Sequence, residues 1–198
     1  MLKFVFVLIA SLLGAATSFA QVLERSSPDC SAKAQERVHS GVERNEPASI
    51  YLMARYYSMG NCVPGDGQKA FELYQRAAKL EYPPAFYNLG MISASNGSYA
   101  SAAEFLLMGT VLGHRGSELQ LGILYSLVPA PTGDDEKAFA WLSLTSSRNE
   151  QVSTEARRQL AIVSKRIDKA SREKAEALYA SLKEKYGPIH AFKQETAN

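Results

Sequence analysis

Between Ala48 and Ser147 apolar residues recur every three to four positions, the period of amphipathic helices, and the pattern repeats three times. With Ala48, Ala85 and Ser117 as starting points, Leu52, Leu89 and Leu121 follow four residues later, and Met53, Gly90 and Gly122 come next. Eight residues after each start stand Tyr56, Ser93 and Tyr125. A second stripe opens at Ala70, Ala102 and Ala138 and continues through Leu73, Phe105 and Trp141, then Tyr74, Leu106 and Leu142. Small residues close it: Ala77-Ala78, Gly109-Thr110 and Thr145-Ser146. The starts lie 37 and then 32 residues apart, and two helical stripes in a unit of that size predict a solenoid of helical hairpins. Leu52, Leu89, Leu121, Leu73, Phe105 and Trp141 are the expected core.

The connectors carry stop and start chemistry. Gly60-Asn61-Cys62-Val63-Pro64-Gly65-Asp66-Gly67 divides the first unit, with Asp66 placed to cap the next helix; Asn96-Gly97-Ser98 divides the second; Pro129 to Asp135 divides the third. Pro83-Pro84 and Arg115-Gly116 separate one unit from the next. The flanks are helical in pattern as well. Ser27-Pro28-Asp29 reads as the start of a helix from Cys30 to about Arg44; Ser153 to Lys169 carries Ala156, Leu160, Val163 and Ile167 on one face; Ser171 reads as the cap of a last helix ended by Gly187-Pro188. Solenoids need terminal caps, and the flanks supply them.

These residues resemble the Sel-one-like repeat (SLR) family, tetratricopeptide-related α/α repeats, through the pattern A-x-x-x-L-G-x-x-Y, a Gly-rich connector, then A-x-x-W-Y-x-x-A-A. Met53 departs from it at the first Gly, Ser93 at a Tyr, and the second connector is short. The resemblance implies an all-α, right-handed solenoid of about three hairpins with helical caps at both ends, and a protein–protein scaffolding role. The expected organisation is residues 1–20 export signal, 21–47 N-terminal capping helix, 48–150 repeats, 151–187 C-terminal helical cap and 188–198 disordered tail. The layout is also similar to the MotX family of periplasmic components in sodium-driven flagellar motors: an export signal, a Cys before the first helix, a second in the first connector, and a basic helical C-terminus. Cysteine-rich repeat proteins with penicillin-binding or β-lactamase activity are a third comparison, but they carry a Cys pair in nearly every repeat and this chain does not.

Export changes how the cysteines read. Lys3, the apolar run Phe4 to Leu13 and the small residues of Ser18-Phe19-Ala20 make a signal peptide cut after Ala20. The expected compartment is therefore the periplasm or the exterior, with no stable membrane insertion after cleavage. Cys30 and Cys62 are the only cysteines, and an oxidising compartment favours a disulfide between them. Charge excludes nucleic acid. The net charge is +2, without the concentrated basic face that phosphate binding needs. Residues 21–150 carry 11 Lys/Arg against 14 Asp/Glu, and residues 151–198 carry 10 against 6.

No catalytic constellation and no cofactor box is present in the pattern. His39, His114 and His190 are scattered, without the spacing of a zinc site. Asp134-Asp135-Glu136 suits the positive end of a helix better than a cation loop. The expected activity is binding: an envelope protein or peptide held by a monomer. Tetratricopeptide geometry, transferred through the Leu-Gly alignment, puts Ile50, Ala54, Tyr57, Tyr87, Met91, Leu119 and Ile123 along the concave groove. Two readings of that stripe stand. It binds a partner, or the chain's own terminal helix fills it.

Overall fold

The structure, a computed structural model, describes residues 29–128, 133–148 and 151–187. The expected export signal with its cut after Ala20, and the expected disordered tail 188–198, lie outside the described residues. Nine helices and no strand occur among the described residues: α1 (Ala32–Glu43), α2 (Pro47–Met59), α3 (Gly67–Lys79), α4 (Pro83–Ser95), α5 (Tyr99–Val111), α6 (Arg115–Leu127), α7 (Asp135–Ser146), α8 (Ser153–Val163) and α9 (Lys169–Tyr186). The pairs α2–α3, α4–α5 and α6–α7 are the three hairpins of an all-α repeat solenoid.

Local chemistry sets the helix starts. Ser31, Asp66, Asp134 and Asp168 each accept a hydrogen bond from the backbone N–H three residues on, satisfying a donor that the first helical turn leaves open. Asp168 rather than Ser171 caps the last helix, with the Ser171 N–H as donor at 2.8 Å. Prolines with no N–H to satisfy begin α2 and α4. Gly60 ends α2 at φ 64°, a left-handed conformation that glycine adopts without steric cost.

Within a hairpin the Leu-Gly step brings two backbones together. A Cβ on Gly90 would lie 2.7 Å from Leu106 Cγ, and one on Gly122 would lie 2.9 Å from Leu142 Cγ. Met53 takes the place of that glycine in the first hairpin and packs with Val38 of α1 and with Tyr56.

The core runs as a chain of clusters from repeat to repeat. Ile50, Ala54, Tyr74 and Ala77 of the first hairpin pack with Ala85, Phe86 and Leu89 of the second. Ala102 and Leu106 of the second pack with Leu121, Leu124 and Trp141 of the third. Leu89, Leu121 and Trp141 are buried, as expected. Leu52, Leu73 and Phe105 are only partly buried; the first two border α1, where no earlier repeat covers them.

The two ends close differently. Cys30 and Cys62 are joined with their Cα atoms 5.1 Å apart, tying the segment before α1 to the α2–α3 connector, and the Tyr56 hydroxyl donates to the Asp29 carbonyl at 3.1 Å. At the other end α8 buries Ala156 and Val163 against Leu119, Ala138 and Leu142. Helix α9 runs in the same direction as α7: near its start Lys174 pairs with Glu136 in the first turn of α7 at 3.6 Å, and at its end the Tyr186 carbonyl accepts from Arg148, just past α7, at 3.1 Å, with Tyr186 packed on Trp141.

A candidate protein-binding face

The sequence-derived stripe does not form one surface. Ile50, Ala54 and Leu119 have no exposed area, and they are corrected to core residues. An α-helix turns about 100° per residue. Positions two and six after each start therefore point at the neighbouring repeat: Ile50 and Ala54 pack with Ala85, Phe86 and Leu89, and Leu119 packs with Leu142, Ala156 and Val163. Ile123 is half-buried against that last cluster. Tyr87 packs edge-on against His114 at 5.3 Å, and burial pushes its hydroxyl pKa up to about 12. Met91 stays partly open. Tyr57 faces a different place, a cleft of about 440 Å³ shared with His39, Val42, Met53, Lys69, Glu72, Leu73 and Arg76.

One position further along each helix is a surface that does recur. Tyr51, Asn88 and Gln120 stand three residues after the three starts, and all are partly exposed. Seven residues after the starts come Arg55 and Ile92, partly open, and the nearly buried Leu124. Ser58, Ser95 and Leu127, ten residues after, are exposed. This first-helix face crosses all three repeats. Its register is fixed from below: Tyr51 packs against Tyr74 and Tyr82 at 5.7 and 5.1 Å, and Asn88 Nδ2 donates to the Tyr51 hydroxyl at 3.3 Å and to the Pro84 carbonyl at 3.1 Å. An amide anchored in this way leaves its oxygen to accept from a ligand. The sequence pattern could show that a face recurs, but it could not show which of two adjacent helical positions the superhelix turns outward.

Helix α9 does not lie in this face. Ala138, Leu142 and Thr145 turn α7 toward α6, with Leu142 against Gly122 and the Thr145 hydroxyl donating to Glu118. Ala140 and Leu144 project on the other side and are buried in the cluster that contains Leu182 and Tyr186 of α9. The terminal helix therefore covers the outer, second-helix side of the third repeat. At the third repeat the sequence-derived stripe is filled, because Leu119 and Ile123 pack with Ala156, Leu160 and Val163 of α8, while α9 itself packs on α7.

Beneath the C-terminal end is a buried charge network. Glu118, with no exposed area, accepts from Arg115 Nη1 at 3.1 Å, from Arg148 Nε and Nη2 at 3.0 and 3.2 Å, and from the Thr145 hydroxyl at 3.1 Å. Arg148 Nη2 also donates to the Tyr186 carbonyl at 3.1 Å. The remaining chemistry-bearing residues serve the fold. His114 Nδ1 accepts from the Ser117 N–H at 3.1 Å and so caps α6, and burial lowers its pKa to about 4. Asp134 caps α7, Asp135 pairs with Arg166, and Glu136 pairs with Lys174 at 3.6 Å. No group of metal-binding side chains occurs among the described residues, and none of their helices is long and apolar enough to cross a membrane.

The geometry defines an α/α repeat protein with an open face on its first helices. Residues 47–82 and 117–149, the first and third hairpins, match the Sel1 repeat. The first and third hairpins are Sel1 repeats, and the middle hairpin keeps their geometry with a shorter connector. A solved Sel1 repeat protein from Oxalobacter formigenes has a similar fold, with a TM-score of 0.58 and 22% identity over 77% of this chain and 64% of that one. A protective antigen present in uropathogenic Escherichia coli strains and displaying an SLR fold gives a TM-score of 0.41 and 20% identity over 90% of this chain and 48% of that one. This chain therefore spans less than two thirds of either structure's length. No curated protein matches it significantly.

Proposed function

We propose that this protein is a non-catalytic adaptor, exported to the periplasm or beyond, that holds a segment of an envelope protein across its first-helix face. The observation carrying this reading is the recurrence of half-open positions on three successive first helices: Tyr51 and Arg55, Asn88 and Ile92, then Gln120 and Leu127. A row of hydroxyl, amide and guanidinium groups beside apolar side chains suits an extended or helical peptide, whose backbone needs donors and acceptors and whose side chains need apolar contact. Sel1 repeats are generally used for protein–protein interaction, which supports a scaffold over an enzyme. The Lys3 charge, the apolar run Phe4 to Leu13 and the small residues before Gln21 support the compartment, and an oxidising compartment accords with the Cys30–Cys62 bond.

A photo-crosslinking residue at Ile92 or Gln120, in cells, tests this. One defined envelope protein should be captured from both positions and not from Glu72 on the second-helix side. Equal capture from Glu72, or none from Ile92 and Gln120, would overturn the reading. The disulfide between the segment before α1 and the first connector favours one narrower version, a MotX-like structural part of a sodium-driven flagellar motor. Deletion of the gene would then abolish sodium-dependent swimming; unchanged motility would exclude it.

A further inference from the structure

The cleft beside the first hairpin measures about 440 Å³, within the range of small-molecule sites, roughly 300–1,000 Å³. Val42 of α1, Met53 and Tyr57 of α2 and Leu73 of α3 give it an apolar lining, and Glu72 and Arg76 stand on its α3 wall. Met53 occupies the place held by Gly90 and Gly122 in the later hairpins, where Leu106 and Leu142 pack close. Its flexible thioether can adapt to what lies against it. Glu72 and Arg76 come two and six residues after the start of the second stripe, where the middle hairpin has Glu104 and Met108. The third has Ala140 and Leu144, which pack with Leu182 and Tyr186 of α9. The charged pair therefore belongs to the first hairpin alone.

The charges along this wall do not pair with one another. Glu72 lies three residues after Lys69 and four before Arg76, the spacings at which opposite charges meet on a helix. Lys69 turns instead to Asp66 at 3.3 Å and lies over the Tyr57 ring, 5.4 Å from its centroid. Lys137 repeats that arrangement in the third hairpin, with Asp134 at 3.1 Å and the Tyr125 ring at 5.5 Å, so Lys69 serves the fold. Glu72 Oε1 accepts from the neutral Gln68 amide at 2.8 Å. Arg76 is fixed in place: Nε and Nη2 donate to Asn45 Oδ1 at 3.0 and 2.7 Å, and Nη2 also donates to the Val42 carbonyl at 2.8 Å. Asn45 presents its oxygen from a left-handed backbone, at φ 60°. These bonds leave Nη1 to a ligand, and a guanidinium already held loses little freedom on meeting a carboxylate.

We propose that this cleft binds a free apolar α-amino acid, its carboxylate on Arg76, its ammonium on Glu72 and its side chain on Val42, Met53 and Leu73. The two charges of a free amino acid sit on one carbon, which suits an acid and a base one helical turn apart; a peptide holds its terminal charges further from each other. The cleft is separate from the first-helix face, so the two readings fail independently. Titration of the full chain with L-leucine, followed by amide chemical shifts, tests the site. The shifts should saturate and centre on Val42, Met53 and Leu73. Glu72→Gln should weaken L-leucine at least about tenfold, the loss of a charge-assisted hydrogen bond, and leave 4-methylpentanoate, which lacks the ammonium, unchanged. Arg76→Gln should weaken 4-methylpentanoate and spare 3-methylbutylamine, which lacks the carboxylate. Shifts that do not saturate, or that centre outside α1 to α3, would overturn the proposal. So would equal weakening of L-leucine and 4-methylpentanoate by Glu72→Gln, since the carboxylate would then serve only the fold. Tighter binding of leucyl-leucine than of L-leucine would overturn it too, assigning the cleft to a peptide end.

Discussion

At the N-terminal end a disulfide pins the segment before α1 to the first connector. At the C-terminal end Glu118, shut away from water between Arg115 and Arg148, binds the end of α9 to α6 and α7. The contrast is one of mechanism. A cross-link acts chiefly by restricting the unfolded chain, so it responds to reductant and little to pH. A buried ion network acts in the folded state, where desolvation has been offset by pairing, and it fails when one partner is removed. The α1 end can therefore lean on covalency while its small helix buries few residues, Ala34, Val38 and Gly41. The α9 end must be matched in shape and charge.

The largest effect should come from breaking the charge network. Glu118→Ala leaves two arginines near the core without their carboxylate and should cost about 3–5 kcal/mol in urea unfolding. Amide exchange in α9 should rise, while the protection of α1 is unchanged. A loss below about 1 kcal/mol would show that the network does not hold the C-terminal end.

Removing the disulfide is the matching test at the other end. With the cysteines 32 positions apart in sequence, Cys30→Ser/Cys62→Ser should lose about 3–4 kcal/mol on the chain-entropy account. The loss should appear first as faster exchange in α1 and not in α9. Equal loosening of both ends would mean that the array unfolds as one unit.

Acid should separate the ends next. The His114 ring is held neutral in the fold, with a pKa of about 4 against 6.5 for a free imidazole. The unfolded chain thus takes up the proton first. The stability tied to this ring is complete above pH 6.5 and is lost as pH falls from 6.5 to 4, amounting to roughly 3 kcal/mol. Melting followed over that range in wild type and His114→Asn should show the slope only in the wild type, and proteolysis at pH 4.5 should cut at the α5–α6 junction before α1. A parallel decline in both proteins would assign the acid sensitivity elsewhere.

The smallest effect sharpens the comparison without breaking either end. Asp66→Ala and Asp168→Ala each remove one capping hydrogen bond and should each cost about 1 kcal/mol by thermal unfolding. Asp66 lies in the disulfide-closed connector. A smaller loss there than at Asp168 would show that the cross-link already restrains the α3 start.

Repeat spacing, the Leu-Gly steps, the connector chemistry and the lone cysteine pair all follow from local rules, so hairpins, caps and cross-link are readable along the chain. Gly90 and Gly122 announce close helix packing because no other residue fits there. What cannot be read locally is rotation and long-range pairing. Ile50 and Tyr51 are adjacent and equally apolar in pattern, yet the first is enclosed and the second half-open, because the turn of one repeat on the next decides which points outward. Glu118 and Arg148 stand 30 residues apart and look in sequence like ordinary surface charges. Only the packing of α6, α7 and α9 brings them together out of water, where their pairing becomes strong. Local rules along the chain dictate that helical hairpins stack, whereas the rotation of each repeat on the next sets which face stays open and where the last helix packs.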